Sequence, residues 1–178
     1  MGAMHILSSA KVLKTPVFRV QNVVARDSDG FEIHRSVVAH QGSAVILPAD
    51  EMGRVLLVRQ YRLPAQAKLW ELAAGRIDPG ESPLAAARRE LVEETGLRAR
   101  QWKRLAKMYP TPGYVSELMH LYLATGLTEG EAHPMDDERI ETRWFTRKEL
   151  ESWVDAGKFE DAKTLTGLLL YWREFSRG

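Results

Sequence analysis

The chain has 178 residues, of which 44% are hydrophobic and 28% are charged, and its formal net charge is +1. This length and composition predict one globular domain with a proper hydrophobic core. The lack of cysteine excludes a disulfide framework and a thiolate metal site, and the lack of a basic cluster interleaved with aromatic residues weighs against a nucleic-acid partner. The lack of cysteine also gives no reason to expect an oxidising compartment, so we expect a cytoplasmic protein. Since no stretch approaches the ~20 apolar residues of a membrane span, we expect no membrane partner.

The first third of the chain predicts strands. Residues 17–25 and 31–40 are both rich in valine and flank a turn at residues 27–30, which predicts a β-hairpin. Residues 42–48 and 54–61 have continuous apolar centres, a pattern that is typical of strands buried on both faces. We therefore expect a hairpin followed by two core strands.

The next segment, residues 75–97, predicts a tight turn that leads into a helix. Asp-Pro-Gly at residues 78–80 has proline and glycine in the positions that a type II turn favours. Ser82 can cap the first helical turn, Pro83 suits the first helical position, and Gly96 ends the helix. A short strand over residues 70–74 is expected to bring the chain to this turn.

Three carboxylates share one face of the predicted helix. Glu90, Glu93 and Glu94 are three and four residues apart, a spacing that brings like charges together at a cost of about 0.2–0.5 kcal/mol per pair. Acidic groups in the last turn also oppose the helix dipole. A helix with several glutamates is usually just a solvated face. A hard cation such as Mg²⁺ or Mn²⁺ would offset the repulsion, because these ions prefer carboxylate oxygens.

The remainder of the chain predicts further strands and two helices. Residues 100–108 are ambiguous, whereas residues 119–124 alternate as a strand does and residues 140–145 are a further strand candidate. Residues 148–156 and 161–175 have helical periodicity. Because strands outnumber helices, we predict an α/β sandwich with a mixed sheet.

The turn and helix together resemble the signature of the Nudix hydrolases. That signature is a glycine, five residues, a glutamate, seven residues, and then Arg-Glu-aliphatic-any-Glu-Glu-any-Gly-aliphatic. The chain meets every position with Gly75, Glu81, Arg89, Glu90, Leu91, Glu93, Glu94, Gly96 and Leu97. The resemblance implies an α/β/α sandwich over residues 41–178, preceded by N-terminal strands at residues 1–40.

The resemblance also implies hydrolysis of a diphosphate bond and the residues that perform it. Glu90 and Glu94 are the expected principal metal ligands, the backbone carbonyl of Ala74 contributes, and Glu93 is a further ligand or an orienting group. Arg89 is expected to hold an acidic neighbour in place, and Glu81 is expected to be structural. The cation would neutralise the diphosphate charge and position the attacking water.

Residues around the helix resemble the ADP-ribose pyrophosphatase branch of the family. Pro112, within the segment 109–113, lies fifteen residues beyond Leu97, where that branch carries a marker proline. Residues 59–62 and 70–76 also look like that branch, although Ala73 stands where many relatives have proline. The substrate-binding residues implied by this resemblance are Arg62, Glu71, Arg76, Pro112 and Gly113.

A general base is expected in the acidic segment 136–141, which precedes a strand. The resemblance favours Glu138, with Asp137 and Glu141 as alternatives if the alignment shifts, and an exposed acidic turn is the competing interpretation. A carboxylate near its ordinary pKa is a weak base, so the metal would provide most of the activation of water.

These residues predict Mg²⁺-dependent hydrolysis of ADP-ribose to AMP and ribose 5-phosphate. One alternative is the same chemistry on another nucleotide sugar, such as GDP-mannose or an ADP-sugar, and another is a non-catalytic sensor of such a ligand. By analogy with ADP-ribose pyrophosphatases, we expect a homodimer in which the N-terminal hairpin reaches the partner.

Overall fold

A computed structural model describes residues 3–130 and 139–175, over which it has ten strands and three helices. The strands are β1 (His5–Lys14), β2 (Arg19–Arg26), β3 (Glu32–Ala39), β4 (Ser43–Pro48), β5 (Val55–Arg62), β6 (Ala67–Glu71), β7 (Ala73–Arg76), β8 (Leu97–Met108), β9 (Met119–Glu129) and β10 (Glu141–Phe145). The helices are α1 (Pro83–Thr95), α2 (Arg147–Asp155) and α3 (Ala162–Phe175). These elements form two compact units.

The N-terminal unit comprises the chain up to Gly42 and the segment Met108–Leu118. Its antiparallel sheet has the order β1-β2-β3. The predicted hairpin is β2 with β3, and Asp27 closes its turn by accepting a hydrogen bond of 3.0 Å from the amide of Phe31. The sequence did not predict β1, whose ten residues are all exposed, because a strand without a buried face lacks the apolar alternation that marks other strands.

The second unit comprises Ser43–Lys107 and the chain from Met119 onward. It contains a four-stranded sheet, β7-β4-β9-β8, and a three-stranded sheet, β10-β5-β6. β4 and β9 are parallel, whereas the β4–β7, β5–β6 and β5–β10 pairs are antiparallel, so the predicted mixed sheet is confirmed. The ambiguous residues 100–108 are part of β8, which lies at the edge of the larger sheet.

The single strand expected over residues 70–74 is instead two strands in different sheets. β6 pairs with β5, and β7 pairs with β4. The division falls at Leu72, whose side chain is fully buried and whose amide donates a 2.8 Å hydrogen bond to Oγ1 of Thr164 on α3. The Leu72 amide therefore donates to a side chain of α3, whereas in a continuous strand it would donate to a carbonyl of a neighbouring strand.

The core lies on both faces of β4. Ala44 and Ile46 belong to a cluster that includes the buried face of α1, whereas Val45 and Leu47 belong to a second cluster that includes residues of α2 and α3. Because alternate strand residues point to opposite faces, the helices form two layers around the sheet. The α/β/α sandwich is therefore confirmed. None of the helices in the described chain is long and apolar enough to cross a membrane.

The start of α2 carries a reciprocal cap that can be tested directly. The Thr146 side chain accepts from the amide of Glu149, and the Glu149 carboxylate accepts from the amide of Thr146 at 2.9 Å. Thr146→Ala is expected to lower the free energy of unfolding by about 0.5–2 kcal/mol, since one helical amide loses its acceptor. Urea unfolding measures this change. Thr142→Ala is the control, because the Thr142 side chain is exposed on β10, and a smaller loss is expected.

Candidate active site

Helix α1 is capped at both ends as the sequence predicts. The hydroxyl of Ser82 accepts a 3.1 Å hydrogen bond from the amide of Ala85, and proline occupies the first helical turn. Gly96 ends the helix in the left-handed region, at φ 71°, and its amide donates to the carbonyl of Val92. The two caps fix the helical register and therefore which face carries the carboxylates.

Two of the three clustered glutamates are buried against β7. Glu90 is 6% exposed and Glu94 is 4% exposed, whereas the side chain of Glu93 is 33% exposed. The Glu90 carboxylate fills the space beside Gly75, so that a Cβ atom at Gly75 would overlap it. Glu94 accepts a 3.3 Å hydrogen bond from the amide of Ala74. The face is thus a packed site rather than a solvated one.

Arg89 holds the acidic residues together. Its Nη1 donates to Glu90 at 2.7 Å and to Glu93 at 2.9 Å, while Nε and Nη2 donate to the two oxygens of Glu81. Nη2 also donates to the carbonyl of Arg76. The Glu81 hydrogen bonds, and then those of Glu90 and Glu93, raise the pKa of Arg89 despite partial burial. Arg89 therefore offsets part of the repulsion between the carboxylates, a role that the sequence analysis had assigned to a bound cation.

Arg89→Met is expected to lower the free energy of unfolding by about 1–3 kcal/mol at pH 7, since buried carboxylate oxygens lose their donor. The hydrogen bond from Arg89 also lowers the pKa of Glu81. A lowered carboxyl pKa stabilises the folded state above the unfolded pKa of about 4.3, and this contribution is lost as the pH falls through the folded value. Urea unfolding from pH 7 to pH 3 should therefore show a steeper loss in the wild type than in Arg89→Met.

Arg88→Met is the matched control, because its side chain is the exposed neighbour of Arg89. Equal pH dependence in the wild type and Arg89→Met would contradict the proposed coupling between Arg89 and Glu81.

The donors beside β7 fit a hard divalent cation in chemistry. Glu90 and Glu94 are one helical turn apart, and carboxylate oxygens are the ligands that Mg²⁺ and Mn²⁺ prefer. Over residues 3–130 and 139–175, no three acidic or histidine side chains already form a metal cage. Arg89 donates to Glu90 as well as to Glu93, but Glu90 and Glu94 are the two glutamates that lie buried against β7, so they are the side chains of this cluster best placed to bind a cation.

A second ionic cluster surrounds Glu71, which is 1% exposed at the end of β6. Arg62 donates to it from Nε at 2.8 Å and from Nη2 at 3.0 Å. Lys163 on α3 also pairs with Glu71, and with Asp161 at 3.0 Å. Burial opposes the charge of Arg62, but Glu71, followed by the more distant charges of Glu94 and Asp161, leaves its pKa raised.

Sequence reasoning identified Arg62 and Glu71 but missed Lys163. The local sequence held one signal, since Asp161 precedes α3 in the position of a capping residue. Asp161 does accept a 3.0 Å hydrogen bond from the amide of Thr164. No sequence pattern indicated that the lysine between them faces Glu71.

The other expected site residues belong to the N-terminal unit, to the end of β7 or to the part of the chain outside the described residues. Pro112 and Gly113 belong to the N-terminal unit, where they help to line a cavity of about 420 Å³ beside β2 and β3. Arg76 is exposed at the end of β7. Glu138 and its neighbour Asp137 lie outside the described residues.

The remaining candidate base, Glu141, starts β10 in an ionic cluster. Its carboxylate accepts a 3.0 Å hydrogen bond from Lys68 and lies 3.6 Å from Nη1 of Arg59. The hydrogen bond and charge of Lys68 lower the pKa of Glu141. A carboxylate held as an anion by two cations is poorly suited to accept a proton.

The chain is similar to a protein family and to known enzymes. The NUDIX domain family model matches residues 39–167. The chain is 34% identical over 167 residues to an ADP-ribose pyrophosphatase of Mycobacterium tuberculosis, which covers 92% of this chain and 80% of that protein. It is 31% identical over 169 residues to a GDP-mannose pyrophosphatase of Cronobacter sakazakii, covering 87% of this chain and 88% of that protein.

A solved structure has the same fold. It is described as an ADP compounds hydrolase, and it superimposes with a TM-score of 0.83 at 24% sequence identity, covering 100% of this chain and 96% of that one.

Proposed function

Since the chain belongs to the Nudix family, we propose that this hydrolase cleaves ADP-ribose to AMP and ribose 5-phosphate with the help of a divalent cation. The observation that carries the proposal is the pair of buried carboxylates, Glu90 and Glu94, which lie within a complete Nudix signature and pack against Ala74 and Gly75. Nudix hydrolases generally need a divalent metal. Mg²⁺ is the proposed ion, with Mn²⁺ as a substitute.

The proposed roles follow from burial and charge. Glu90, Glu94 and the carbonyl of Ala74 would hold the cation. Glu93 would be a further ligand of the cation or an orienting group beside it. When bound, the cation neutralises diphosphate charge and lowers the pKa of the attacking water. Burial of the two carboxylates excludes competing water, which strengthens their attraction for a cation.

Substrate binding is assigned to residues beyond the glutamate cluster. Arg62 is the first of these residues, because its side chain is 39% exposed and the charge of Glu94 is among those that raise its pKa. Glu71 would orient Arg62, Arg76 would bind the substrate from the end of β7, and Pro112 with Gly113 would select it. Glu138 remains the proposed general base, with Asp137 as its alternative.

Hydrolysis of another nucleotide sugar is the second candidate, supported by the identity to the GDP-mannose pyrophosphatase. A panel of ADP-ribose, ADP-glucose and GDP-mannose, with products identified by chromatography, separates the two. We expect AMP and ribose 5-phosphate from ADP-ribose with Mg²⁺, and no products with EDTA. No turnover of ADP-ribose would contradict the first candidate, and ligand binding without any turnover would favour a sensor.

A homodimer is also proposed. Apolar side chains on both faces of β1 are exposed in the single chain, including Ile6 at 70%, Leu7 at 50%, Val12 at 60% and Leu13 at 51%. A long exposed strand of this kind is normally covered in a native protein. Light scattering should give twice the 20.2 kDa of one chain, whereas a mass of one chain would rule out the dimer.

A further inference from the structure

The Glu71 cluster contains a lysine whose position suggests a role in the proposed reaction. Lys163, near the start of α3, is 8% exposed, and its ammonium group pairs with the carboxylates of Glu71 and Asp161. An ammonium group with little exposure and two anionic partners has little left to offer a ligand. Its effect must therefore pass through the groups that it holds.

Glu71 is shared between two cations. Arg62 approaches it side-on, through Nε and Nη2, while Lys163 pairs with the Oε2 atom that also accepts from Nη2 of Arg62. A carboxylate that is 1% exposed is costly to bury unless its oxygens are satisfied. Lys163 thus fixes the orientation of the carboxylate onto which Arg62 is bound.

The pairing through Nε and Nη2 determines which N–H groups of Arg62 are left for a ligand. Within the described residues, the hydrogen bonds of its guanidinium go to Glu71 from Nε and Nη2. The N–H groups of Nη1 remain for a ligand, and 39% of the Arg62 side chain is exposed. This arrangement suits an anionic phosphoryl oxygen.

Hydrogen bonds at the start of α3 fix the position of Lys163. Asp161 accepts from Lys163 and from both the amide and the hydroxyl of Thr164, and that hydroxyl in turn accepts from the amide of Leu72. Consecutive residues of α3 thus bind consecutive residues of the chain before β7: Lys163 pairs with Glu71, and Thr164 accepts from Leu72. The helix start cannot shift without moving the carboxylate that orients Arg62.

We propose that Lys163 is a positioning residue, which acts through Glu71 to hold the guanidinium of Arg62 ready for the diphosphate of the substrate. The identity of the ligand in this inference rests on the proposed function. The link between Lys163 and Arg62 rests only on the contacts around Glu71.

The kinetic test is a double-mutant cycle with ADP-ribose and Mg²⁺. Lys163→Met is expected to raise KM about tenfold with kcat within about twofold of the wild type, as is common when a group that supports a binding residue is lost. Lys163→Arg should restore most of the affinity. In an Arg62→Ala background, Lys163→Met should raise KM no further. An equal rise in both backgrounds would show that Lys163 acts independently of Arg62 and would overturn the proposal.

Lys148→Met is the matched control, since Lys148 is exposed on α2, and its KM should equal that of the wild type. If Lys163→Met is too unstable for kinetics, Lys163→Gln, which keeps a hydrogen-bond donor, takes its place in the cycle.

A second measurement needs no turnover. The Nε–H signal of Arg62 in ¹⁵N NMR spectra should exchange slowly with water in the wild type and at least about tenfold faster in Lys163→Met, because hydrogen exchange reports local opening. An unchanged exchange rate would overturn the proposed link. If the wild type hydrolyses no nucleotide sugar, the proposed function fails and this NMR result alone decides the role of Lys163.

Discussion

Glu94→Gln is expected to lower kcat for ADP-ribose by about a thousandfold, because a bound divalent cation contributes several kcal/mol to the transition state and each 1.36 kcal/mol is tenfold in rate. Glutamine has nearly the same shape as glutamate, and its side-chain oxygen still accepts from the amide of Ala74. The free energy of unfolding should therefore change little. Steady-state kinetics and urea unfolding measure the two effects separately.

The metal dependence of Glu94→Gln provides a further check. The variant should need a higher Mg²⁺ concentration for half-maximal activity, since one of two buried anionic ligands has become neutral. Glu160→Gln is the control, because Glu160 is exposed beyond the described ionic clusters and should leave kcat unchanged. Unchanged activity in Glu94→Gln would show that the cation is held elsewhere.

Gly75→Ala is expected to lower kcat by at least about a hundredfold through steric displacement alone. The new methyl group would occupy the space of the Glu90 carboxylate, which cannot stay in place beside it. A shift of about 1 Å in a catalytic group can cost about a hundredfold in rate. Because Glu90 keeps its charge in this variant, a loss of kcat reports the position of the Glu90 carboxylate and not the loss of the carboxylate itself. The measurements are kcat and the Mg²⁺ concentration for half-maximal activity.

Gly167→Ala is the matched control for packing. A Cβ atom at Gly167 would overlap the side chain of Leu72 in the core, away from the glutamate cluster. We expect this variant to unfold at a lower urea concentration with a smaller loss of kcat, and Gly75→Ala to show the reverse pattern. If both variants lost activity and stability in the same proportion, the specific contact between Gly75 and Glu90 would not explain the effect.

The sequence predicted α1 closely because its signals are local. Ser82 and Gly96 act within a few residues of the helix ends, and the turn at Asp78 is closed by a 2.9 Å hydrogen bond from the amide of Glu81. Core strands such as β4 were also clear, since continuous apolar runs mark strands buried on both faces. Fixed spacing along one helix likewise sufficed to bring Glu90 and Glu94 together.

The features that the sequence did not predict depend on contacts between distant residues. The break at Leu72 reflects a hydrogen bond to Thr164, 92 residues away. The pairing of Glu71 with Lys163 spans the same separation. Neither contact follows from composition or periodicity, because the residue types alone do not specify their partners. β1 was missed for a different reason, since its exposed residues carry no pattern of burial.

The position of Lys163 along the chain also affects the order in which the protein is assembled during synthesis. Arg62 is nine residues from Glu71 and leaves the ribosome before it, whereas Lys163 follows Glu71 by 92 residues. Contacts of such separation form after local ones, because the intervening chain must first be brought into place. The β5–β6 hairpin can therefore pair Arg62 with Glu71 early, but the buried carboxylate receives its second cation only when α3 docks.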